Sequence, residues 1–205
     1  KAIVDALWAG MVSIPNGHQL PSFGPLYNPD HKDWEYDPDA ARKLIAEAGY
    51  DGTPIPYRVR AAAYGPELAT AQVIVSMWEA VGFKIDLQVK ENFGQLMEYP
   101  GTGMRNGVDP VLVADPLFGF WRSYNRAEKD VWQNEEFWAL GDKLESSLDV
   151  QERLEVYTRM MDIFDFEDPP AFILHMMGTF WGKRKNINWK PSESVYVQFA
   201  DATTG

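Results

Sequence analysis

The sequence predicts an α/β fold in which helices pack on a sheet, because strand-like and helical periods alternate along its first half. Residues 56–62 and 83–89 alternate apolar and polar side chains, and residues 66–81 between them repeat with a helical period. A strand, a crossover helix and a second strand predict two parallel neighbours with a right-handed connection. The 205 residues, 45% of them hydrophobic, suffice for one large core or two small ones.

The chain opens with an apolar helical pattern. Ile3, Leu7 and Met11 share one helical face, and no capping residue precedes them. We therefore expect the chain to be part of a longer protein. Residues 13–33 follow and are dense in Pro, Gly, Asn and Asp, which predicts a long ordered loop with aromatic anchors.

The next helix carries complete start and stop signals. Asp37 can cap it, Pro38 suits its first position, and Gly49 can end it in a left-handed conformation. Helical spacing places four residues on the inner face: Ala41, Leu44, Ile45 and Ala48. The segment predicts a scaffold helix without chemistry of its own.

The crossover unit follows this helix. In its first strand apolar side chains alternate with Arg58 and Arg60. The helix over 66–81 should face inward with Leu68, Ala71, Val75 and either Met77 or Trp78, and Gly82 should end it.

A less regular region follows the crossover unit. Residues 92–99 predict a short helix, and residues 104–115 predict a strand interrupted at Asp109 and Pro110. Because proline lacks a backbone donor, we expect that interruption at a sheet edge or a strand end.

The second half predicts an antiparallel pair of helices. The first covers 134–149, and the second begins at its cap, Asp149. The expected inner faces are Phe137, Leu140, Leu144 and Leu148 in the first helix, and Leu154, Tyr157, Met161 and Phe164 in the second. Residues 171–177 and 179–189 predict extended segments on either side of Gly178.

Composition excludes several classes of function. The formal net charge of −11 argues against nucleic acid as a partner, and we interpret the one basic run, residues 182–186, as a solvated turn. With no cysteine there is no disulfide, thiolate–metal site or cysteine nucleophile. No window approaches the roughly 20 apolar residues of a membrane span.

Motifs of catalysis are absent from the sequence. His18, His31 and His175 lie far apart and have no metal-binding spacing, and no nucleophile elbow or phosphate loop occurs. We predict no catalytic residue, no metal and no cofactor. Aromatic residues are more suggestive: Trp121, Tyr124 and Trp132 cluster near Asp109, Asp115 and Arg105. Such a set can line a small-molecule cleft or fill the core beneath a loop, and the sequence favours neither.

Five blocks carry a family resemblance. They are KAIVDALWAG at residues 1–10, YDPDAARKLIAEAGYDG at 36–52, WEAVGFKIDLQV at 78–89, the helical block at 134–174, and FWGKRKNI at 180–187. Together they resemble the extracytoplasmic solute-binding proteins of ABC transporters, family 5. Members of that family bind peptides, nickel complexes, opines and some oligosaccharides, and these blocks belong to the C-terminal half of much longer chains.

The resemblance implies a fold, a location and partners. The fold would be a periplasmic-binding-protein type II-like lobe, with a mixed sheet and flanking helices. Residues 1–185 would form the C-terminal lobe, and residues 186–205 would return toward the N-terminal lobe of the same protein. The protein would be periplasmic or lipid-anchored outside the cytoplasm. It would be a binding protein, not an enzyme, with a small-molecule ligand and an ABC permease in the membrane as partners.

The resemblance also implies binding residues. In peptide-binding members an acidic residue near an Asp-Pro step meets the cationic amine of the ligand. Asp115, followed by LFGFW, fits that pattern better than Asp109. Tyr64 lies in the loop before the crossover helix, where the family has a cleft residue. The full predicted binding set is Asp115, Asp109, Tyr64, Arg105, Trp121 and Phe118.

Two other classes of function stay open. A hydrolase or transferase would have two acidic residues with strongly perturbed pKa values facing each other in one pocket. An interaction domain without a ligand would leave Asp109, Asp115 and Trp121 packed or solvated singly, with no concave surface between them.

Overall fold

The computed structural model describes residues 1–32, 34–61, 65–98, 103–128, 132–191 and 198–204. The chain divides into two compact units. The first consists of Lys1–Ser13 with Asp33–Val108, and the second of Ile14–Lys32 with Asp109–Gly205. The chain therefore passes from one unit to the other three times.

The first unit is built on a parallel sheet. Its helices are α1 (Ala2–Trp8), α2 (Pro38–Glu47), α3 (Glu67–Val81) and α4 (Phe93–Met97), and its strands are β1 (Ile55–Arg60), β2 (Ile85–Lys90) and β3 (Met104–Arg105). The described strands lie in the order β2-β1-β3, and β1 is parallel to both neighbours. The predicted crossover is confirmed. The strand predicted over 104–115 is wrong beyond Arg105, because its remainder makes no ladder and residues 109–115 belong to the second unit.

The termini of α2 follow their sequence signals. The Asp37 carboxylate accepts hydrogen bonds from the backbone N–H groups of Asp39 and Ala40, and Gly49 has a φ of 68°. The predicted inner face is wrong, however. No residue of α2 is buried, and Leu44 is 60% exposed. Caps are local features and were predictable, whereas burial depends on what packs against the helix.

The helices α1 and α3 bury only part of the predicted faces, with Ile3 and Ala71 buried as expected. Helix α1 ends at Trp8, where Ala9 takes a left-handed conformation, so Met11 lies beyond it and is exposed. Helix α3 ends at Gly82 as expected, but its buried residues are Glu67, Thr70, Ala71 and Ile74. Leu68 and Val75 are only partly buried. Packing against the sheet determines which face of α3 is buried, and that face includes the carboxylate of Glu67.

The second unit is an aromatic core enclosed by helices. It contains α5 (Arg122–Tyr124), α6 (Glu135–Ser146) and α7 (Val150–Asp162), the last continuing as a π-helical turn, Ile163–Glu167. Asn134 and Asp149 cap α6 and α7. Ion pairs join both ends of the two helices, Glu136 to Arg159 at 2.8 Å and Lys143 to Glu152 at 2.9 Å. The predicted antiparallel pair is confirmed.

The inner faces of these helices are largely as predicted. Phe137, Leu144, Tyr157, Met161 and Phe164 are buried. The prediction for Leu148 is wrong, since α6 ends at Ser146 and Leu148 is 96% exposed.

The early loop belongs to this core. A 3₁₀ turn, Pro21–Leu26, buries Phe23 and Leu26 among the helices, which confirms the aromatic anchor. Near the other end of the chain, β4 (Ile187–Asn188) pairs with β5 (Thr203–Thr204) in an antiparallel ladder. Residues 182–186 are exposed, as expected for a solvated turn. Among the helices that the structure describes, none is both long and apolar enough to cross a membrane.

Candidate functional site

The carboxyl edge of the parallel sheet is the first candidate site. From β1 the chain crosses to β2 on one side and then returns to β3 on the other side. This reversal makes the ends of β1 and β3 a topological switch point, and open α/β sheets bind ligands in the crevice outside such a point. Arg60 ends β1 and Arg105 ends β3.

The neighbours of Arg105 hold its strand end in place. The Asn106 N–H donates to the carbonyl of Arg58 at 3.3 Å, and the hydroxyl of Tyr57 donates to the Asn106 side chain. Burial raises the pKa of Tyr57, so this hydroxyl keeps its proton. Arg105 is a half-buried residue, and no residue in the described ranges forms a hydrogen bond or ion pair with its guanidinium.

A buried carboxylate lies at the start of α3. Glu67 is 3% exposed, and its Oε1 accepts a hydrogen bond of 3.1 Å from the backbone N–H of Arg60. Its Oε2 is buried and has no hydrogen-bond partner among the described residues. The apolar period of α3 predicts burial of Leu68, and for that reason Glu67 was not predicted as a buried residue. Tyr64, in the loop between these residues, lies outside the described residues.

Asp109 is held in a hydrogen-bond network of the second unit. Its Oδ2 lies 2.9 Å from Nε2 of His18 and accepts a bond of 3.1 Å from the Tyr124 hydroxyl. Burial alone would raise the pKa of Asp109. The hydrogen bond and charge of His18, with hydrogen bonds from Ser123 and Tyr124, outweigh burial and lower that pKa. Asp109 is therefore ionised at neutral pH.

His18 joins this network to the aromatic core. Its ring lies 4.7 Å from the ring centroid of Phe164 and 5.1 Å from that of Phe120. Its Nδ1 is buried and has no hydrogen-bond partner among the described residues. No local sequence pattern indicates this contact, because His18 and Asp109 are 91 residues apart.

Asp115 is paired with a cation of its own unit. Nη2 of Arg153 lies 2.9 Å from Oδ1 and 2.8 Å from Oδ2 of Asp115. The backbone N–H of Leu117 also donates to Oδ1, at 2.9 Å. This carboxylate thus fixes the turn that carries Phe118.

The two predicted aromatic residues have different positions. Trp121 is 7% exposed, its Nε1 donates to Glu145 at 3.1 Å, and its ring packs on Gly141. It is a core residue. Phe118 is half-buried and lines a surface depression of about 420 Å³. Trp121 lines this depression too, and its other walls carry Arg122, Asn125 and the ion pair between Arg126 and Asp142.

The structure therefore groups only part of the predicted set. Asp109, Asp115, Phe118 and Trp121 belong to the second unit, and Arg105 belongs to the first. Asp109 and Asp115 have separate hydrogen-bond partners and do not form a facing pair. The described ranges contain no cluster of three or more His, Asp or Glu side chains that could hold a metal ion.

A comparison with protein-family models identifies the family of this chain. The family model of bacterial extracellular solute-binding proteins, family 5 Middle, matches residues 1–128. The chain belongs to this family. Family 5 proteins are binding proteins that take up small ligands such as peptides and deliver them to ABC permeases. The family is extracellular, which agrees with the location predicted from the sequence.

Two curated relatives are similar to this family 5 chain. Heme-binding protein A of Haemophilus influenzae is 27% identical over 197 residues, covering 87% of this chain and 34% of the relative. Di/tripeptide-binding protein 4 of Pseudomonas aeruginosa is 25% identical over 183 residues, covering 82% of this chain and 34% of the relative. The chain spans about a third of the length of these relatives.

A solved structure establishes the fold. The dipeptide-binding protein of Pseudoalteromonas sp. SM9913, in complex with Met-Leu, matches with a TM-score of 0.78 and 17% identity. The match covers 99% of this chain and 42% of that protein. The fold is of the periplasmic-binding-protein type II kind, as the sequence predicted.

Proposed function

We propose that this chain is the ligand-binding part of the substrate-binding protein of an ABC importer. One observation carries the proposal: the family 5 match covers the whole parallel sheet and its switch point, residues 1–128. A switch point flanked by loops is where an α/β sheet can receive a small molecule without disturbing its core.

The predicted residues contribute unequally to this proposal. Arg105 lies at the switch point with a guanidinium that no described residue pairs, and Phe118 lines a depression of suitable size. Asp109 and Asp115 already have partners within the chain. Trp121 is a buried residue that lines the same depression as Phe118. Tyr64 stays a candidate on the ground of its position before α3.

We also propose the remaining organisation from the family. Residues 1–185 form the C-terminal lobe, residues 186–205 return toward an N-terminal lobe of the same protein, and the ligand lies in the cleft between the lobes. An ABC permease in the membrane receives the ligand. The protein is not an enzyme, since its role is capture and delivery.

The curated relatives suggest which ligands to try. One is named for heme and the other for di- and tripeptides. The family also takes nickel complexes, opines and oligosaccharides, so these complete the panel.

The test is a thermal-shift and calorimetric titration of the intact protein with that panel. A ligand that binds only the folded state at 100 times its Kd adds about 2.7 kcal/mol, or roughly 5–10 °C in Tm for a cooperative unit of about 150–250 residues. We expect one ligand class to produce a saturable shift of this order. A panel in which no class shifts Tm and none gives heat would overturn the proposal.

The separate pairing of Asp109 and Asp115 favours one rival, an interaction domain without a small ligand. That rival predicts a negative panel together with a well-folded protein. The same titration therefore decides between the two functions.

A further inference from the structure

Most acceptor positions of both predicted ligand-binding carboxylates are occupied within the chain. A carboxylate has about four acceptor positions. Asp115 uses three, two for Arg153 and one for the backbone of Leu117. Asp109 accepts from His18, Tyr124 and Ser123. A cationic amine would have to compete with these partners for the carboxylate, and Arg153 would share its counter-ion with the amine.

The opposite situation holds at Arg105. The residue is half-buried, yet no described residue accepts a hydrogen bond from its guanidinium. Five N–H donors in a rigid fork match the two oxygens of a carboxylate, and partial burial strengthens such a pair. By contrast, Arg58, the β1 residue opposite Arg105 in the ladder, donates to Gln88 and to the carbonyl of Glu98. Of these two sheet arginines, Arg105 is the one left for a ligand.

We propose that the ligand group recognised by this chain is a carboxylate, bound by Arg105, and not a cationic amine bound by Asp109 or Asp115. This inference rests on the proposed function and deepens it, because it names the chemical class of the ligand. It selects carboxylate-bearing solutes: peptides held by their C-terminus, opines or heme propionates. Neutral oligosaccharides are disfavoured.

Matched probes separate the two kinds of ligand group. Leu-Leu carries both groups, N-acetyl-Leu-Leu keeps only the carboxylate, and Leu-Leu-amide keeps only the amine. Hemin adds a second carboxylate probe without an amine. Each is titrated into the intact protein by calorimetry and by quenching of tryptophan fluorescence.

The expected result is binding of at least one amine-free carboxylate probe and no binding of Leu-Leu-amide. The variant Arg105→Gln should weaken the bound carboxylate about 10- to 100-fold, the loss expected for a charge-assisted pair. Arg105→Lys keeps the charge but not the fork and should give a smaller loss. Arg42→Gln, on the exposed surface of α2, is the matched control and should leave the Kd unchanged.

The contrary outcomes are distinct from one another. Binding of Leu-Leu-amide without binding of either carboxylate probe overturns this inference and leaves the proposed function standing. Carboxylate binding that Arg105→Gln does not weaken overturns the role of Arg105. If no probe binds and no solute of the full panel binds, the result overturns the proposed function, and with it the inference that rests on that function. The comparison of the carboxylate and amine probes uses wild-type protein, so it does not depend on whether the Arg105 variants fold.

Discussion

Gly141, in the middle of α6, lies directly against the indole of Trp121. A Cβ at this position would overlap Cζ3 and Cε3 of that ring and lie 2.6 Å from its Cδ2. Because the ring is buried, it cannot move aside without disturbing the core. Gly141→Ala is therefore a sharp test of how this helix packs.

Two opposing terms determine the size of the effect. Replacing glycine by alanine in a helix interior stabilises by about 1 kcal/mol. Overpacking costs about 1–3 kcal/mol, and weakening the Trp121 bond to the Glu145 carboxylate adds about 1 kcal/mol or more. We expect Gly141→Ala to lower the free energy of unfolding by about 2 kcal/mol.

Urea unfolding followed by tryptophan fluorescence measures this loss, and about 2 kcal/mol corresponds to a midpoint shift of about 1 M. Ala139→Gly, on the exposed face of the same helix, measures how much helix propensity alone contributes to the free energy of unfolding. In a Trp121→Leu background the alanine should be neutral or stabilising, because the overlapping ring is gone. A stabilising Gly141→Ala in the wild-type background would refute the packing described for α6.

Three further outcomes follow from the same geometry. Asp37→Ala should cost about 1 kcal/mol of stability, measured by urea unfolding, because two N–H groups of α2 lose their acceptor. Because the pKa of Asp109 is lowered in the folded protein, its contribution is complete above the ordinary value of 3.8 and lost as the pH falls through the folded-state pKa. Wild type and Asp109→Asn should therefore converge in unfolding free energy as the pH falls from 3.8 through the lowered pKa of Asp109, and a constant difference would contradict this. For Asp115 and Arg153, a double-mutant cycle to alanine should give a coupling of about 1 kcal/mol, and additive effects would show that the pair contributes nothing.

Local chemistry explains which elements were predictable. The caps at Asp37 and Asp149 and the stop at Gly82 depend on neighbouring backbone only, so the sequence specifies them. The crossover from β1 to β2 follows from periodicity and handedness. The buried face of a helix is harder to predict from sequence, since α3 has apolar residues on several sides. The sheet determines that Thr70 and Glu67 are buried while Leu68 is only partly so.

The candidate site was harder to predict because its decisive contacts are distant in sequence. Arg153 is 38 residues from Asp115, and His18 is 91 residues from Asp109. No pattern within a window of ten or twenty residues contains either pair. The sequence shows which residue types could bind a ligand, but it does not show which partners those residues have in the fold. The partners determine whether a carboxylate can still meet a ligand.

The three passages of the chain between its units limit how the molecule can be divided. Residues 109–205 expressed alone would keep both long helices but would lose Phe23 and Leu26 from their core. They would also lose the His18 carbonyl, which accepts a hydrogen bond from the buried Tyr157 hydroxyl. A cut at one loop therefore cannot yield two intact halves. A minimal fragment of the helical unit must carry residues 14–32, either covalently or as an added peptide.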